Sequence, residues 1–74
     1  MSAEKFEVKG EFIKLDALLK ATGLAVTGGA AKEMIASGAV SVNGQKETRR
    51  GAKLRGGETV TCGQRTVEIV TSGS

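Results

Sequence analysis

The 74-residue sequence contains no histidine, proline, tyrosine or tryptophan, and it contains a single cysteine. Without histidine and with one thiol, the chain cannot assemble a zinc site from the usual ligands, nor a Cys/His or Ser/His catalytic dyad. One cysteine also excludes an internal disulfide, so folding does not depend on an oxidising compartment. We therefore expect no metal, no cofactor and no enzymatic activity.

Three residues could still serve catalysis. Asp16 and Glu33 could form an acid–base pair, and Cys62 could act as a nucleophile. We predict instead that both carboxylates lie on helix surfaces, because a domain of this size is not expected to hold an apolar cleft that would perturb them. Cys62 lies in an alternating segment, which predicts a small core residue.

Aromatic residues make up 3 % of the chain, and both are phenylalanines, so the core must be aliphatic. No segment approaches the roughly 20 apolar residues that span a bilayer, and residues 1–14 lack the continuous apolar run of a signal peptide. These absences predict one small, soluble, cytoplasmic domain. Its stability should be modest, because a chain this short buries only about 60 % of its unfolded surface.

The strongest local structure signals lie in residues 27–53. Thr27 has the position of an N-cap before a helix-forming run, and Gly38 has the position of a left-handed C-terminal cap. The sequence then alternates at Val40–Val42 and reaches Asn43-Gly44, a strong hairpin signal because both residues tolerate positive φ. The segment predicts a helix, a cap, a strand, a tight turn and a basic strand.

A second helix and a short strand are predicted N-terminal to that segment. Leu15, Leu18 and Leu19 are spaced i, i+3 and i+4, which is typical of an amphipathic helix, and Gly23 is predicted to end it. Phe6 and Val8 alternate with charged residues, as in a short strand. Helices this short are marginal alone, so we expect them to pack on each other and on a sheet.

A second hairpin is predicted C-terminal to the basic residues. Its strands are Thr59–Cys62 and Arg65–Val70, joined by a tight turn at Gly63-Gln64. Leu54 is the sole large apolar residue of the basic stretch and is predicted to anchor it in the core. Helices followed by strands predict an α+β fold, with two short packed helices against a small antiparallel sheet of about four to five strands.

Positive charge is concentrated in one short stretch. Residues 1–44 carry five lysines and five acidic residues, whereas residues 45–55 carry five basic residues against Glu47 alone. Such density indicates a polyanionic partner, although a solvated strand edge kept soluble by charge explains it equally well.

The nature of a nucleic-acid partner is limited by the scarcity of aromatic residues. With both phenylalanines predicted in the core, an aromatic platform for base stacking is not expected. Recognition would rest on phosphates, 2′-hydroxyls and shape, which favours structured RNA over single strands.

Two segments together resemble a known family. KLDALLKATGL at 14–24 and TGGAAKEMIASGAVSVNG at 27–44 resemble the RNA-binding domain named after bacterial ribosomal small-subunit protein S-four, also called the αL motif. Its pattern is a basic-Leu-Asp helix, a Ser/Thr-led helix and a Val-x-Val-Asn-Gly hairpin. TGGAAK with ETRRGAKL is further similar to small stand-alone bacterial members, the YaaA-like and YbcJ-like proteins. The resemblance covers Glu11 to Val70.

The resemblance implies a non-catalytic protein that binds structured RNA, ribosomal or transfer, with the ribosome as a candidate partner. The RNA face in such domains is formed by the two helices and the adjoining hairpin. Carried over by position, the RNA-binding residues are Lys14, Thr27, Gly28, Lys32, Asn43, Lys46, Arg49, Arg50 and Lys53.

This chain departs from the family pattern at three places. Gly28 stands where many larger relatives have an arginine, which should weaken a phosphate contact or replace it with a backbone N–H contact. Ala52 stands where stand-alone members often have a basic residue. Gly56-Gly57-Glu58 replaces a common Pro-Gly-Asp turn.

The resemblance also suggests a division of the chain. Residues 1–10 are expected to form an N-terminal extension with a possible short strand, residues 11–70 the RNA-binding domain, and residues 71–74 a disordered tail. We expect a monomer. Two other functions are compatible with the sequence: a protein-interaction module for an acidic partner, and an accessory subunit that serves an RNA-modifying enzyme in trans.

Overall fold

The computed structural model of the protein describes residues 4–71, which form two helices and seven strands. In chain order they are β1 (Glu4–Val8), β2 (Ile13–Lys14), α1 (Leu15–Ala21), α2 (Gly28–Ala36), β3 (Val40–Val42), β4 (Gln45–Lys46), β5 (Lys53–Leu54), β6 (Thr59–Cys62) and β7 (Arg65–Thr71). The predicted α+β architecture is confirmed, since α1 and α2 pack on each other and share one core with the strands.

The main sheet has five strands in the order β1-β7-β6-β3-β4. Its hairpin neighbours are antiparallel, as predicted, whereas β1 runs parallel to β7, so the five-stranded sheet is mixed. Parallel neighbours need a long connection, and all the intervening chain between β1 and β7 supplies it. The short strand predicted around Phe6 and Val8 thus becomes an edge of the main sheet.

A second, two-stranded sheet is formed by β2 and β5, with Ile13 opposite Leu54 and Lys14 opposite Lys53. The prediction of a continuous basic strand after the first hairpin is wrong here, because β4 ends at Lys46 and residues 47–52 form a loop with a turn. The reason is that Leu54 lies in β5, which pairs with β2 outside the main sheet. There its side chain is buried in the core and is 1 % exposed. The predicted role of Leu54 as an anchor is confirmed.

Both helices begin and end where the sequence predicts. Thr27 caps α2, and its Oγ1 accepts a hydrogen bond from the Ala30 N–H at 3.0 Å. Gly38 follows α2 with φ +82°, the left-handed conformation that glycine adopts without steric cost. A Cβ atom at Gly38 would lie 3.5 Å from Cδ of Lys46, so the Lys46 stem lies over this end of α2.

The first hairpin has the predicted tight turn, with φ of 54° at Asn43 and 84° at Gly44. Positive φ at both central residues matches the twist of antiparallel strands. Asn43 also ties the turn to β6: its N–H donates to the Thr59 carbonyl at 2.8 Å, and its Oδ1 accepts from the Thr59 N–H at 3.0 Å. These bonds join the end of β3 to the start of β6.

The core is aliphatic, as the composition predicts. No polar or charged side chain is buried among residues 4–71. The phenylalanines were predicted in the core, but both are only half-buried, and Phe12 lies against Lys53 with Nζ 4.9 Å from the ring centroid. The buried residues are Val8, Leu15, Leu18, Leu19, Ala25, Ala31, Ile35, Val40, Leu54, Val60, Val67 and Ile69.

The turn between β5 and β6 is closed by the Glu58 carboxylate. It accepts hydrogen bonds from the backbone N–H of Arg55 at 2.9 Å and of Gly56 at 2.7 Å. Burial raises the pKa of Glu58, but these backbone donors outweigh it and hold the pKa below its ordinary value of 4.5. The ionised carboxylate therefore stabilises the turn.

Some predictions concern the chain ends. Residues 1–3 and 72–74 lie outside the described range, so the disordered tail stays a prediction at 72–74, while Glu4 and Thr71 belong to β1 and β7. Neither helix within residues 4–71 is long and apolar enough to cross a membrane.

Truncating the anchor should test the packing. Leu54→Ala should lower the free energy of unfolding by about 2–5 kcal/mol, because it removes a fully buried side chain and leaves a cavity. Urea unfolding followed by circular dichroism measures the change. Val26→Ala is the control: Val26 is 87 % exposed, and the change should be within about 0.5 kcal/mol. Equal midpoints for the two variants would contradict the anchor role.

The Glu58 turn should give stability a pH dependence. A carboxylate whose folded pKa is lowered contributes stability that is present above pH 4.5 and lost as pH falls through the folded pKa. Glu58→Gln should therefore cost about 1 kcal/mol near pH 7 and much less once the pH falls below the folded pKa of Glu58. Urea midpoints at several pH values measure this. Glu33→Gln, the same charge change on the exposed face of α2, is the control, and an equal effect there would contradict the assignment.

Candidate functional site

Three of the predicted site residues, Lys14, Arg50 and Lys53, meet at the start of α1. The β2–β5 ladder places Lys14 directly opposite Lys53. The first amides of α1 bind the adjoining loop: the Leu15 N–H donates to the Ala52 carbonyl at 2.9 Å, and the Asp16 N–H to the Arg50 carbonyl at 3.2 Å. We call Lys14, Arg50 and Lys53 the basic cluster; all three are exposed.

The basic cluster lacks protein counter-charge. Neither of the two ion pairs found within residues 4–71 includes Lys14, Arg50 or Lys53. Asp16 is next to Lys14 in sequence, and its Oδ1 accepts from the Ala17 N–H at 2.8 Å. Like charges opposite each other on neighbouring strands repel, so an anion placed between Lys14 and Lys53 would relieve this repulsion.

Besides the β2–β5 ladder, a contact with the Phe12 ring holds Lys53. Its Nζ lies 4.9 Å from the centroid of the half-buried Phe12 ring, a cation–π distance. The contact limits the freedom of the Lys53 side chain while leaving the residue exposed, so less conformational entropy is lost when an anion binds it.

Arg49 stands apart from the basic cluster because Glu47 holds it. The Glu47 carboxylate accepts from Arg49 Nε at 3.0 Å, from Nη2 at 3.3 Å and from the Arg49 backbone N–H at 3.1 Å. The hydrogen bond to the Arg49 side chain is the largest cause lowering the pKa of Glu47, and the same bond raises the pKa of Arg49. Glu47 was not predicted as a site residue. The signal for it in the sequence was its position two residues before Arg49, which allows the two side chains to pair.

The other predicted residues are placed around the two helices. Thr27 and Gly28 form the start of α2, and Lys32 lies on its exposed surface. No hydrogen bond or ion pair between described residues joins these three to the basic cluster. Lys46 lies in β4, and its stem lies over the end of α2. Asn43 has a structural role in the hairpin, so its two hydrogen bonds to Thr59 already account for its identity.

A shallow cleft of about 510 Å³ lies beside the basic cluster, and the sequence analysis did not predict it. The cleft combines apolar residues from two segments, β3 and residues 52–54, with the charged residues at positions 47, 49, 53 and 58. The sequence pattern could not predict the cleft, because its residues come together only when β5 pairs with β2 and not with a strand of the main sheet. It is lined by Val42, Glu47, Arg49, Gly51, Ala52, Lys53, Leu54 and Glu58.

The charged residues do not form a metal centre. Within residues 4–71 no three Cys, Asp or Glu side chains are grouped so that they could hold a metal ion. The arrangement is cationic at the start of α1, and what it can do is bind anions.

Comparison with known proteins identifies the family. The family model described as the S4 domain matches residues 6–70. The YbcJ proteins of Escherichia coli (strain K12) and Shigella flexneri are each 39 % identical over 62 residues, spanning 84 % of this chain and 89 % of the relative.

A solved structure agrees with this match. The solution structure of E. coli YbcJ, described as revealing an αL motif involved in RNA-binding, superposes with a TM-score of 0.72 at 35 % identity. The alignment covers 95 % of this chain and 90 % of that one. The family resemblance found in the sequence is thereby confirmed, and the chain belongs to the S4 domain family.

Proposed function

We propose that this protein is a non-catalytic RNA-binding protein that recognises structured RNA, ribosomal or transfer, by contacting its phosphates. The observation that carries the proposal is the pairing of Lys14 with Lys53 at one position of the β2–β5 ladder, near Arg50, where none of the three forms an ion pair with another described residue. Membership of the S4 domain family and the αL motif of E. coli YbcJ, which is described as involved in RNA-binding, support it.

Phosphate contacts explain why this site contains mutually repelling cations. Lysine and arginine bound to phosphates release condensed counterions, which favours association. Arg50 adds a planar guanidinium, which binds phosphate oxygens in pairs, while Lys14 and Lys53 act as point charges. The rigid backbone ladder beneath them keeps their spacing before RNA arrives, so little ordering is needed on binding.

The predicted residues outside the basic cluster extend this face in the proposal. Lys46 lies over the end of α2 and Lys32 lies on the exposed surface of that helix. Thr27 and Gly28 would contribute backbone N–H groups at the start of α2, where the helix dipole favours a phosphate.

The proposal is tested by titrating the protein with separated ribosomal and transfer RNA fractions at several salt concentrations. Four or five phosphate contacts predict a slope of log K against log salt of roughly −3 to −4. Preference for one fraction would name the class of RNA. Negligible binding to both fractions would contradict the proposal and leave the basic cluster to an acidic protein partner.

Lys14→Gln separates a binding role from a structural one. We expect weaker RNA binding, with a salt slope less steep by about 0.7–0.9, because one phosphate contact is lost. Stability should stay equal or rise slightly, because the repulsion with Lys53 is removed. Lys5→Gln on β1, at the opposite edge of the main sheet from β4, is the matched control and should keep the wild-type slope. Equal slopes for all three proteins would contradict the role of Lys14.

A further inference from the structure

The cleft beside the basic cluster has a floor and a rim of different chemistry. The partly exposed Val42 and Ala52 contribute apolar surface, while Arg49 and Lys53 contribute positive charge. Its volume of about 510 Å³ is within the roughly 300–1,000 Å³ of sites that hold small organic ligands. A flat apolar ring that carries a phosphate on one side matches this arrangement.

Arg49 gives the cleft a surface on which a ring can stack. Its side chain is 81 % exposed, yet Glu47 holds the guanidinium at Nε (3.0 Å) and Nη2 (3.3 Å). Guanidinium planes stack on unpaired bases, and a plane that is already held loses less freedom when a base is added. This chain has no tyrosine or tryptophan, so Arg49 supplies the planar contact that those residues would otherwise make.

Both carboxylates that line the cleft already accept hydrogen bonds. Glu47 accepts from Arg49, and Glu58 accepts from the Arg55 and Gly56 N–H groups. Few acceptors are left to read the edge of a base, so the cleft should select for the presence of a flat ring rather than for its identity.

The position of the basic cluster indicates which kind of molecule would carry such a ring. Lys53 belongs both to the cleft and to the basic cluster, so a phosphate held between Lys14 and Lys53 lies next to the cleft. A base in the cleft and a phosphate on the cluster can then belong to the same or the adjacent nucleotide. A base inside a duplex is stacked between its neighbours and cannot enter, but an unpaired base can turn outward.

We propose that the cleft binds one unpaired nucleobase, such as a bulged base, of the structured RNA whose phosphates contact the basic cluster. This inference rests on the proposed function and deepens it, because phosphate contacts alone give no preference for a bulge. The protein thus recognises a helix interruption by its extruded base, with Val42 and Ala52 beneath the ring and Arg49 against it.

The test uses two RNA hairpins of identical sequence. One carries a single bulged nucleotide, and the other carries an abasic nucleotide at the same position, so that phosphate number and helix interruption are equal. We expect the base-bearing hairpin to bind about fivefold to tenfold more tightly, a ratio that matches one stacked base. Both should show the same salt slope, because their phosphate contacts are the same.

Two variants remove the base preference by different routes. Ala52→Leu fills the cleft, and Arg49→Lys keeps the positive charge but removes the planar group. Each should bring the ratio of the two affinities close to one, because the base-bearing hairpin loses a contact that the abasic hairpin never makes. Ala21→Leu, the same enlargement at the exposed end of α1, is the control and should keep the wild-type ratio. Thermal unfolding of each variant checks that the fold is retained, and Arg49→Lys serves alone if Ala52→Leu does not fold.

The outcomes distinguish the two proposals. Equal binding of both hairpins by the wild type, with a normal salt slope, would overturn the cleft proposal and leave phosphate recognition intact. A preference that survives both variants would also overturn it, because the base would then contact another surface. Failure to bind either hairpin or the RNA fractions at any salt concentration would overturn both proposals together.

Discussion

Two short strands of two residues each, β2 and β5, position the basic cluster of this protein. Their pairing places Ile13 beside Leu54 on the core side and Lys14 beside Lys53 on the exposed side. The burial of Leu54 offsets the repulsion between the two lysines, because a buried aliphatic side chain stabilises by more than one solvated like-charge pair destabilises. This anchor and the hydrogen bonds from the Leu15 and Asp16 N–H groups together fix the position of the 47–52 loop relative to α1.

The aliphatic core allows this chain of 74 residues to carry the charged 47–52 loop on its surface. No polar side chain is buried in the described range, so no surface charge is needed to pair with a buried polar side chain. Charged groups instead close turns locally, as Glu58 does between β5 and β6, or position one neighbour, as Glu47 does with Arg49. The cations of the basic cluster take part in neither kind of contact within residues 4–71.

Residues of the predicted site differ in how their identity is explained. Asn43 is required by its turn and by its bonds to Thr59, and Thr27 is required as the cap of α2. Both would be expected at these positions even without RNA. Lys14 and Lys53 are different, because their charges gain nothing from each other, so they are the residues on which the proposed function rests most firmly.

The sequence by itself determined the elements whose cause is local. The caps at Thr27 and Gly38, the turn at Asn43-Gly44 and the family pattern could be predicted, because each depends on residues a few positions apart. The anchoring role of Leu54 could be predicted as well, since it is the sole large apolar residue among cations.

Tertiary structure alone decided which distant residues meet. The parallel pairing of β1 with β7, the departure of β5 from the main sheet and the cleft between Ala52, Val42 and Arg49 each depend on contacts between segments far apart in the chain. The half-exposed Phe12 belongs here too, because its partner Lys53 lies in another strand. Local patterns carry no information on such pairings, since many arrangements of the same elements bury the same apolar residues, and only packing of the whole core selects one.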